Sequence, residues 1–214
     1  MSTLRQLIGR FRLQLGGNHH IVGWDMTADA VIAFFLRQRK TVLSFYGYSG
    51  MGYEDEKAML QIAQATLSRY SPETTLVNIG ATSAGIGAVY PLAKSRGFET
   101  SGIVTMMALE YPDDISDAVD HICFVADKHW GGNLPHSDQL SPTSRAMVEC
   151  SDILVGIGGG RIGEAEMLAG QAQGKPVYFY PAEMNHVKAI QYAKKMGLPP
   201  PESFMGFVND AFKR

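Results

Sequence analysis

From residue 41 onward, short apolar runs alternate with longer stretches of helical periodicity. The runs are rich in β-branched and aromatic residues and cover residues 41–46, 75–79, 102–106, 121–125, 153–157 and 177–180. Runs that are apolar on both sides indicate strands covered on both faces. The alternation itself predicts parallel strands joined by right-handed crossovers. We therefore predict an α/β, three-layer Rossmann-like fold, with an open, mostly parallel sheet of about six or seven strands and helices on both faces.

Helices are predicted between these strands and near both ends of the chain. The stretches with helical periodicity cover residues 55–69, 85–96, 142–151 and 163–173. Asn185 is a predicted N-cap for a further helix through Met196, and a short amphipathic segment at 204–212 follows the three prolines at 199–201. We predict one domain over residues 1–214, with 1–40 as a helical extension and 198–214 as a C-terminal tail helix.

The first 40 residues predict two helices joined by a connector. Residues 3–15 place apolar side chains at helical spacing, so this helix needs a partner surface, either on its own domain or on a second subunit. Thr27 is a plausible N-cap for a helix through Arg39. The pair His19–His20 lies in the connector without a cysteine or carboxylate at ligand spacing, so no metal site is predicted.

Composition narrows the classes of function. A net charge of −2 and a pI near 6.3 argue against nucleic acid as a partner, since binding to phosphate backbones draws on clustered Lys and Arg. The longest apolar run, 30–36, is far shorter than the roughly 20 residues that span a bilayer. Arginines interrupt the N-terminal apolar residues, so no signal-peptide core is seen. With Cys123 and Cys150 expected as buried thiols, we predict a cytoplasmic protein.

Glycine-rich turns follow three of the predicted strands. They cover 47–52, 80–87 and 158–163, and the last one leads directly into a helical stretch. The carboxyl ends of parallel strands share one crevice, where backbone amides and a helix N-terminus suit phosphate. The predicted ligand-binding residues are Gly47, Ser49, Gly50, Gly80, Thr82, Ser83, Gly85, Gly158, Gly159, Gly160, Arg161 and Gly163. Alternatively, the glycines only allow close packing, and Ser49, Thr82 and Ser83 only cap helices.

Four features resemble motifs of a known superfamily. They are the turn at 45–50, the segment 79–88 that resembles GGxxGIMGA, Arg145 seven residues before Asp152, and 159–166, which resembles GGxGTxxE. In these segments the chain resembles the SLOG superfamily. Its members include the Lonely Guy (LOG) phosphoribohydrolases, once described as lysine decarboxylases, the DNA-processing protein A domain and the molybdenum-cofactor carriers. The resemblance covers about residues 41–181.

The resemblance to the LOG enzymes implies hydrolysis of the N-glycosidic bond of a nucleoside 5′-monophosphate, with Arg145 and Glu166 as catalytic residues. A carboxylate beside the anomeric carbon would stabilise the positive charge that develops on the sugar. It also implies a nucleotide or phosphate-containing ligand, with no cofactor required, and a homodimer or higher homo-oligomer. Alternatively, Arg145 only pairs with Glu149, and Glu166 only complements its helix dipole.

The chain departs from the LOG pattern at several positions. Gly163 replaces the motif's threonine, Ile162 stands where the motif has a glycine, Glu164 adds a carboxylate, and Ala146 replaces a lysine. An inserted segment, 127–140, contains two histidines, one tryptophan and a Gly-Gly pair. We expect it to form either a lid that stacks on a base or an inert surface loop.

Two other classes of function stay open. One is a carrier or sensor that holds a nucleotide or pterin-type cofactor without cleaving it, as other branches of the superfamily do. The other is a dinucleotide-dependent oxidoreductase, because residues 158–163 satisfy GxGxxG and Glu183 follows about 20 residues later. That fingerprint normally opens the first βαβ unit, whereas here only one predicted strand comes after it.

Overall fold

The computed structural model describes residues 4–14 and 19–213. Its strands are β1 His20–Met26, β2 Thr41–Gly47, β3 Thr75–Ile79, β4 Glu99–Thr105, β5 His121–Val125, β6 Ile153–Ile157 and β7 Val177–Tyr180. Its helices are α1 Leu4–Gln14, α2 Ala28–Gln38, α3 Glu56–Leu67, α4 Val89–Ser95, α5 Pro142–Cys150, α6 Arg161–Ala172, α7 His186–Lys195 and α8 Phe207–Phe212. Short 3-10 turns cover Gly85–Ala88, Met106–Glu110 and Pro112–Asp114.

The strands form one sheet in the order β1-β5-β4-β3-β2-β6-β7, and every pairing among the described residues is parallel. Apolar side chains of α3 and α4, such as Met59 and Val89, pack on one face. Those of α2, α5 and α6, such as Val31 and Met147, pack on the other. The predicted three-layer α/β fold is therefore confirmed.

Strand β1 is the main difference from the predicted elements, since the sequence places only a connector there. It lies at the edge of the sheet and pairs with β5 through an irregular register that shifts on both sides of Gly23. Asp25 within it has a positive φ of 55°. None of the positions of β1 is fully buried and its pairing is irregular, so it lacks the largely apolar run that marks the central strands.

Helix α1 packs on its own domain. Phe11 is fully buried and makes edge-to-face contacts with Trp24 of β1 and Phe124 of β5, with ring centroids 5.9 and 5.3 Å apart. The sequence left two alternatives for this helix, packing on its own domain or on a second subunit. The structure shows packing within the same chain. Residues 3 and 15, the two ends of the predicted helix, lie outside the described residues.

The predicted caps and the predicted thiols have the expected local structure. The side chain of Thr27 accepts a hydrogen bond from the backbone N–H of Ala30, and that of Asn185 accepts one from Lys188. Cys123 and Cys150 are free and buried, and burial raises the pKa of Cys123 to about 12. Within the part of the chain that the structure describes, no helix combines the length and the apolar composition needed to cross a bilayer. The cytoplasmic location stays a prediction.

Candidate functional site

The candidate site is a crevice of about 630 Å³ at the carboxyl ends of the central strands. It opens beside β2 and β6, which are neighbours in the sheet although their following helices, α3 and α6, pack on opposite faces. A position where the helices after two neighbouring strands diverge to opposite faces is called a topological switch point, and open parallel sheets bind ligands there. The volume falls within the range of about 300–1,000 Å³ that is typical of small-molecule sites.

All three predicted glycine turns reach this crevice. Of the predicted ligand-binding residues, those that line it are Gly47, Ser49, Gly50, Gly80, Thr82, Gly160, Arg161 and Gly163. Glu166, one helical turn further along α6, lines it as well. The hydroxyl of Thr82 already accepts a hydrogen bond from the backbone N–H of Ala84 at 3.2 Å, so it also stabilises its own turn.

The other predicted glycines lie behind the crevice and hold the turns together. A Cβ on Gly85, which has a φ of 59°, would collide with the backbone carbonyls of Tyr48 and Ser49. Gly158 has a φ of 57° and packs against the Tyr48 ring, and Gly159 has a φ of 132° and packs against Val208 of α8. These positions therefore require glycine for backbone conformation and close approach.

Ser83 is likewise placed outside the crevice lining. Its backbone N–H donates to the carbonyl of Asp114 at 2.7 Å, and an isolated bridge pairs Thr82 with Ile115 next to it. The second glycine turn is thereby tied to the segment that follows β4. Asp114 and Ile115 of that segment line the crevice.

Arg145 does not lie in the crevice. It sits on the outer side of α5, where its guanidinium pairs with the carboxylate of Asp29 from α2 and lies 3.5 Å from that of Glu149. The helix begins with Ser141 as N-cap and Pro142 in its first turn, which define where α5 starts. The structure thus separates the two residues to which the resemblance gave a catalytic role.

Glu166 occupies the floor of the crevice and is only 5% exposed. One carboxyl oxygen, Oε1, accepts a hydrogen bond from the Ser144 hydroxyl at 2.6 Å. That hydroxyl in turn accepts one from the backbone N–H of Gly132 at 2.6 Å. Burial raises the pKa of Glu166 to about 8, and the hydrogen bond from Ser144 opposes this only in part. The neutral acid is therefore the main form near pH 7.

Asp127 fixes the start of the inserted segment 127–140. Its carboxylate accepts hydrogen bonds from the backbone N–H groups of His129 and Thr143, both at 2.9 Å. Burial disfavours its charge, but these hydrogen bonds hold its pKa below the usual value. Asp127 therefore stays ionised and joins the segment to the beginning of α5.

Two aromatic residues outside the glycine turns complete the wall of the crevice, and one of them is the tryptophan of the inserted segment that the sequence offered as a base-stacking lid. Tyr111 follows the 3-10 turn after β4, and Trp130 belongs to the inserted segment. Their ring centroids lie 5.8 Å apart with planes inclined by 53°. The signal in the sequence was weak, since it consisted only of an aromatic residue beyond a strand's carboxyl end and a tryptophan in an inserted loop.

The electrostatics of the crevice suit an anion at the start of α6. Gly160 is the N-cap without a side-chain hydrogen bond, and the first backbone N–H groups of the helix have no acceptor within the helix. The guanidinium of Arg161 lies 3.8 Å from the centre of the Phe207 ring, beside the same turn. Lys188 donates to the carbonyl of Gly50 at 3.3 Å. Among the described residues, no cluster of three or more His, Cys, Asp or Glu could hold a metal ion.

Comparison with known proteins gives likeness in structure only. No family model matches the chain, and no curated protein matches it significantly. The molybdenum cofactor carrier protein of Chlamydomonas reinhardtii is 22% identical, with 66% of this chain and 76% of that chain covered and a TM-score of 0.48. The molybdenum cofactor binding protein of Rippkaea orientalis is 19% identical, with 74% and 86% covered and a TM-score of 0.48. DNA processing protein A of Streptococcus pneumoniae is 12% identical, with 83% and 62% covered and a TM-score of 0.46.

The groups that these matches represent are among those that the sequence resemblance named, and the likeness is one of fold alone. The prediction that no cofactor is required is contradicted, because cofactor carriers stand among the similar structures, and we withdraw it.

Proposed function

We propose that this protein binds a phosphorylated small molecule, a nucleotide or a pterin-type cofactor, and holds it without cleaving it. One observation carries the proposal: the three glycine turns meet in a single crevice with Glu166, whereas Arg145 is directed away from it to Asp29 and Glu149. The glycine turns, which suit binding of a phosphate, lie together in the crevice. Arg145 and Glu166, to which the resemblance gave the hydrolytic role, do not lie together there.

The phosphate is proposed to bind at the N-terminus of α6. Gly160 and Gly163 offer backbone amides without obstructing side chains, and the helix dipole favours negative charge there. A Cβ built on Gly160 would have no heavy atom within 4 Å, so open space lies in front of this turn. Arg161 lines the crevice beside this turn, and Lys188 donates to the carbonyl of Gly50 in the first glycine turn, so both add positive charge near the glycine turns.

Glu166 is poorly suited to cleavage of a glycosidic bond in this environment. Stabilising a developing positive charge on the sugar requires an ionised carboxylate, and glycosidases use two carboxyl groups in distinct ionisation states. Here burial raises the pKa of Glu166 to about 8, and its Oε1 is engaged by Ser144. A neutral carboxyl group at the floor instead offers a hydrogen-bond donor and acceptor to a bound ligand.

A phosphoribohydrolase is the second candidate, favoured by the position of Glu166 on the crevice floor, where the GGxGTxxE motif would place it. Titration calorimetry with AMP and chromatography of free adenine after prolonged incubation separate the two. We expect binding of AMP with no adenine released. If the wild type releases adenine and Glu166→Gln does not, the proposal that the ligand is held without cleavage is overturned.

Replacing Gly160 tests the phosphate position within the same assay. Gly160→Asp adds a carboxylate beside the proposed phosphate and should weaken AMP binding by more than about 10-fold through like-charge repulsion. Gly160→Ala is the matched control, because the structure leaves room for its methyl group and the backbone φ there is negative. Equal affinity of the two variants would argue against a phosphate at this turn.

We also infer that the protein works as a homo-oligomer in the cytoplasm. Support for self-association comes from exposed apolar side chains on α7 and just after it, namely Val187, Ile190, Tyr192, Met196 and Leu198. The buried, free thiols of Cys123 and Cys150 fit a reducing compartment.

A further inference from the structure

We propose that Tyr111 and Trp130 form an aromatic site that stacks on the planar ring system of the ligand and selects ligands with a purine-like or pterin-like ring. This inference rests on the proposed function, which places the ligand's phosphate at the glycine turns. It assigns the other part of the same ligand to two residues outside the glycine turns, one of them the tryptophan of the inserted segment 127–140. Both rings line the same crevice as the turns.

The exposure of the two rings is the first support. Tyr111 is 48% exposed and Trp130 is 49% exposed, although each side chain could bury a large apolar area. Their centroids lie 5.8 Å apart with planes inclined by 53°, so neither ring covers the face of the other. A planar heterocycle can therefore stack on one ring and meet the second with its edge.

The segment that carries Trp130 is fixed on both sides of the tryptophan. The backbone N–H of His129 donates to Asp127, and that of Gly132 donates to Ser144. Gly131 has a φ of 120°, and a Cβ there would lie 3.0 Å from both Ile162 Cγ2 and Ser144 Oγ. Trp130 is therefore presented by a closely packed turn above Glu166 and the start of α6.

Tyr111 is held by a different part of the fold. Its backbone N–H donates to the carbonyl of Ala108 at 3.0 Å, and its carbonyl accepts from Asp114 at 3.1 Å. Asp114 in turn accepts from the backbone N–H of Ser83 in the second glycine turn. Both aromatic residues are thus joined by backbone hydrogen bonds to elements that line the crevice. Such preorganisation lowers the cost of ordering the site when a ring binds.

The chemistry of this pair favours an extended heteroaromatic ring. Stacking on indole and phenol rings depends on overlapping area and tolerates different ring substituents. The carboxyl group of Glu166 also lines the crevice, and Ser144 engages only its Oε1, so its other oxygen can hydrogen-bond to a ring nitrogen. A bicyclic ring offers more area for stacking than a pyrimidine, and a sugar phosphate offers none.

Calorimetric titration of the full chain with three probes tests the aromatic site: AMP, CMP and ribose 5-phosphate. For the wild type we expect AMP to bind more tightly than CMP, and ribose 5-phosphate to bind most weakly. Trp130→Ala should weaken AMP binding about 10-fold, as removal of one base-stacking partner does, and leave ribose 5-phosphate binding unchanged. Trp130→Phe should keep most of the AMP affinity.

Tyr178→Ala is the matched control, because Tyr178 is 46% exposed on strand β7 and does not line the crevice. It should change neither affinity. If Trp130→Ala leaves AMP binding unchanged, or weakens AMP and ribose 5-phosphate binding equally, the aromatic site is overturned while the proposed phosphate binding stands. If the wild type binds none of the probes, the proposed function is overturned and the aromatic site with it.

Discussion

At the residue scale, the carboxyl group of Glu166 connects the chemistry of the site with the stability of the fold. It is buried on the crevice floor, with one hydrogen bond from Ser144. Its pKa rises from 4.5 to about 8 because burial disfavours the charged form. An acid whose pKa is higher in the folded state binds its proton more tightly there. The contribution of Glu166 to the free energy of unfolding should therefore be fully present below about pH 4.5 and be lost as the pH rises towards 8.

Glu166→Gln should remove this pH dependence. The amide keeps an oxygen that can accept from Ser144, and it has no charge to bury at high pH. We expect the variant to be more stable than the wild type at pH 9, by an amount on the order of a few kcal/mol, with the difference vanishing near pH 4. Thermal unfolding between pH 4 and pH 9 measures it.

Glu149→Gln is the control for that comparison. Glu149 is a carboxylate on α5 with a side chain 39% exposed, so its replacement should leave the shape of the stability curve nearly unchanged. Parallel curves for the wild type and Glu166→Gln would contradict a raised pKa of Glu166 in the folded state.

At the element scale, the turn at Gly131 is expected to position Trp130. Gly131→Ala places a methyl group against Ile162 and Ser144 and strains a backbone with a φ of 120°. We expect this to shift the turn and to weaken AMP binding several-fold by displacing the Trp130 ring. Calorimetry on the folded variant measures the change.

Gly174→Ala is the control for Gly131→Ala. It introduces backbone strain at a positive φ without displacing the turn that carries Trp130. Gly174 follows α6 with a φ of 74°, and a Cβ there would have no heavy atom within 4 Å. Both variants should lose about 1–2 kcal/mol of stability from the positive φ. Only Gly131→Ala should lose affinity for AMP, and equal affinities for the two variants would refute a positioning role of this turn.

The strands and the glycine turns could be predicted from sequence alone, whereas the direction of Arg145 and the meeting of Tyr111 with Trp130 could not. Central strands such as β3 and β6 are short, mostly apolar runs followed directly by glycine, so their bounds and the meeting of the turns follow from local pattern and parallel topology. The direction of Arg145 does not follow, because it depends on Asp29, which lies 116 residues earlier on another helix. Tyr111 and Trp130 meet only through the paths of two irregular segments, and these paths are set by tertiary contacts.

At the scale of the whole molecule, the exposed apolar side chains of α7 predict an interface between copies of this chain. Ile190 is 46% exposed and Val187 is 61% exposed on this helix, whereas α1 buries Phe11 within its own domain. Ile190→Asp would place a charge in such an interface and should shift the protein towards monomer. Light scattering coupled to size-exclusion chromatography measures the mass.

Leu36→Asp is the control, since Leu36 is 74% exposed on α2, away from α7. It should leave the mass unchanged. A monomeric wild type, or an Ile190→Asp variant with the mass of the wild type, would contradict an interface through α7.

The central claim is that a phosphorylated ligand is held intact at the glycine turns, and mass spectrometry of the small molecules released by denaturing the purified protein tests it most directly. We predict a phosphorylated heterocyclic compound that accompanies the wild type and Gly160→Ala and is lost from Gly160→Asp. A cleaved free base with its sugar phosphate, or a phosphorylated compound retained equally by Gly160→Asp, would contradict the claim.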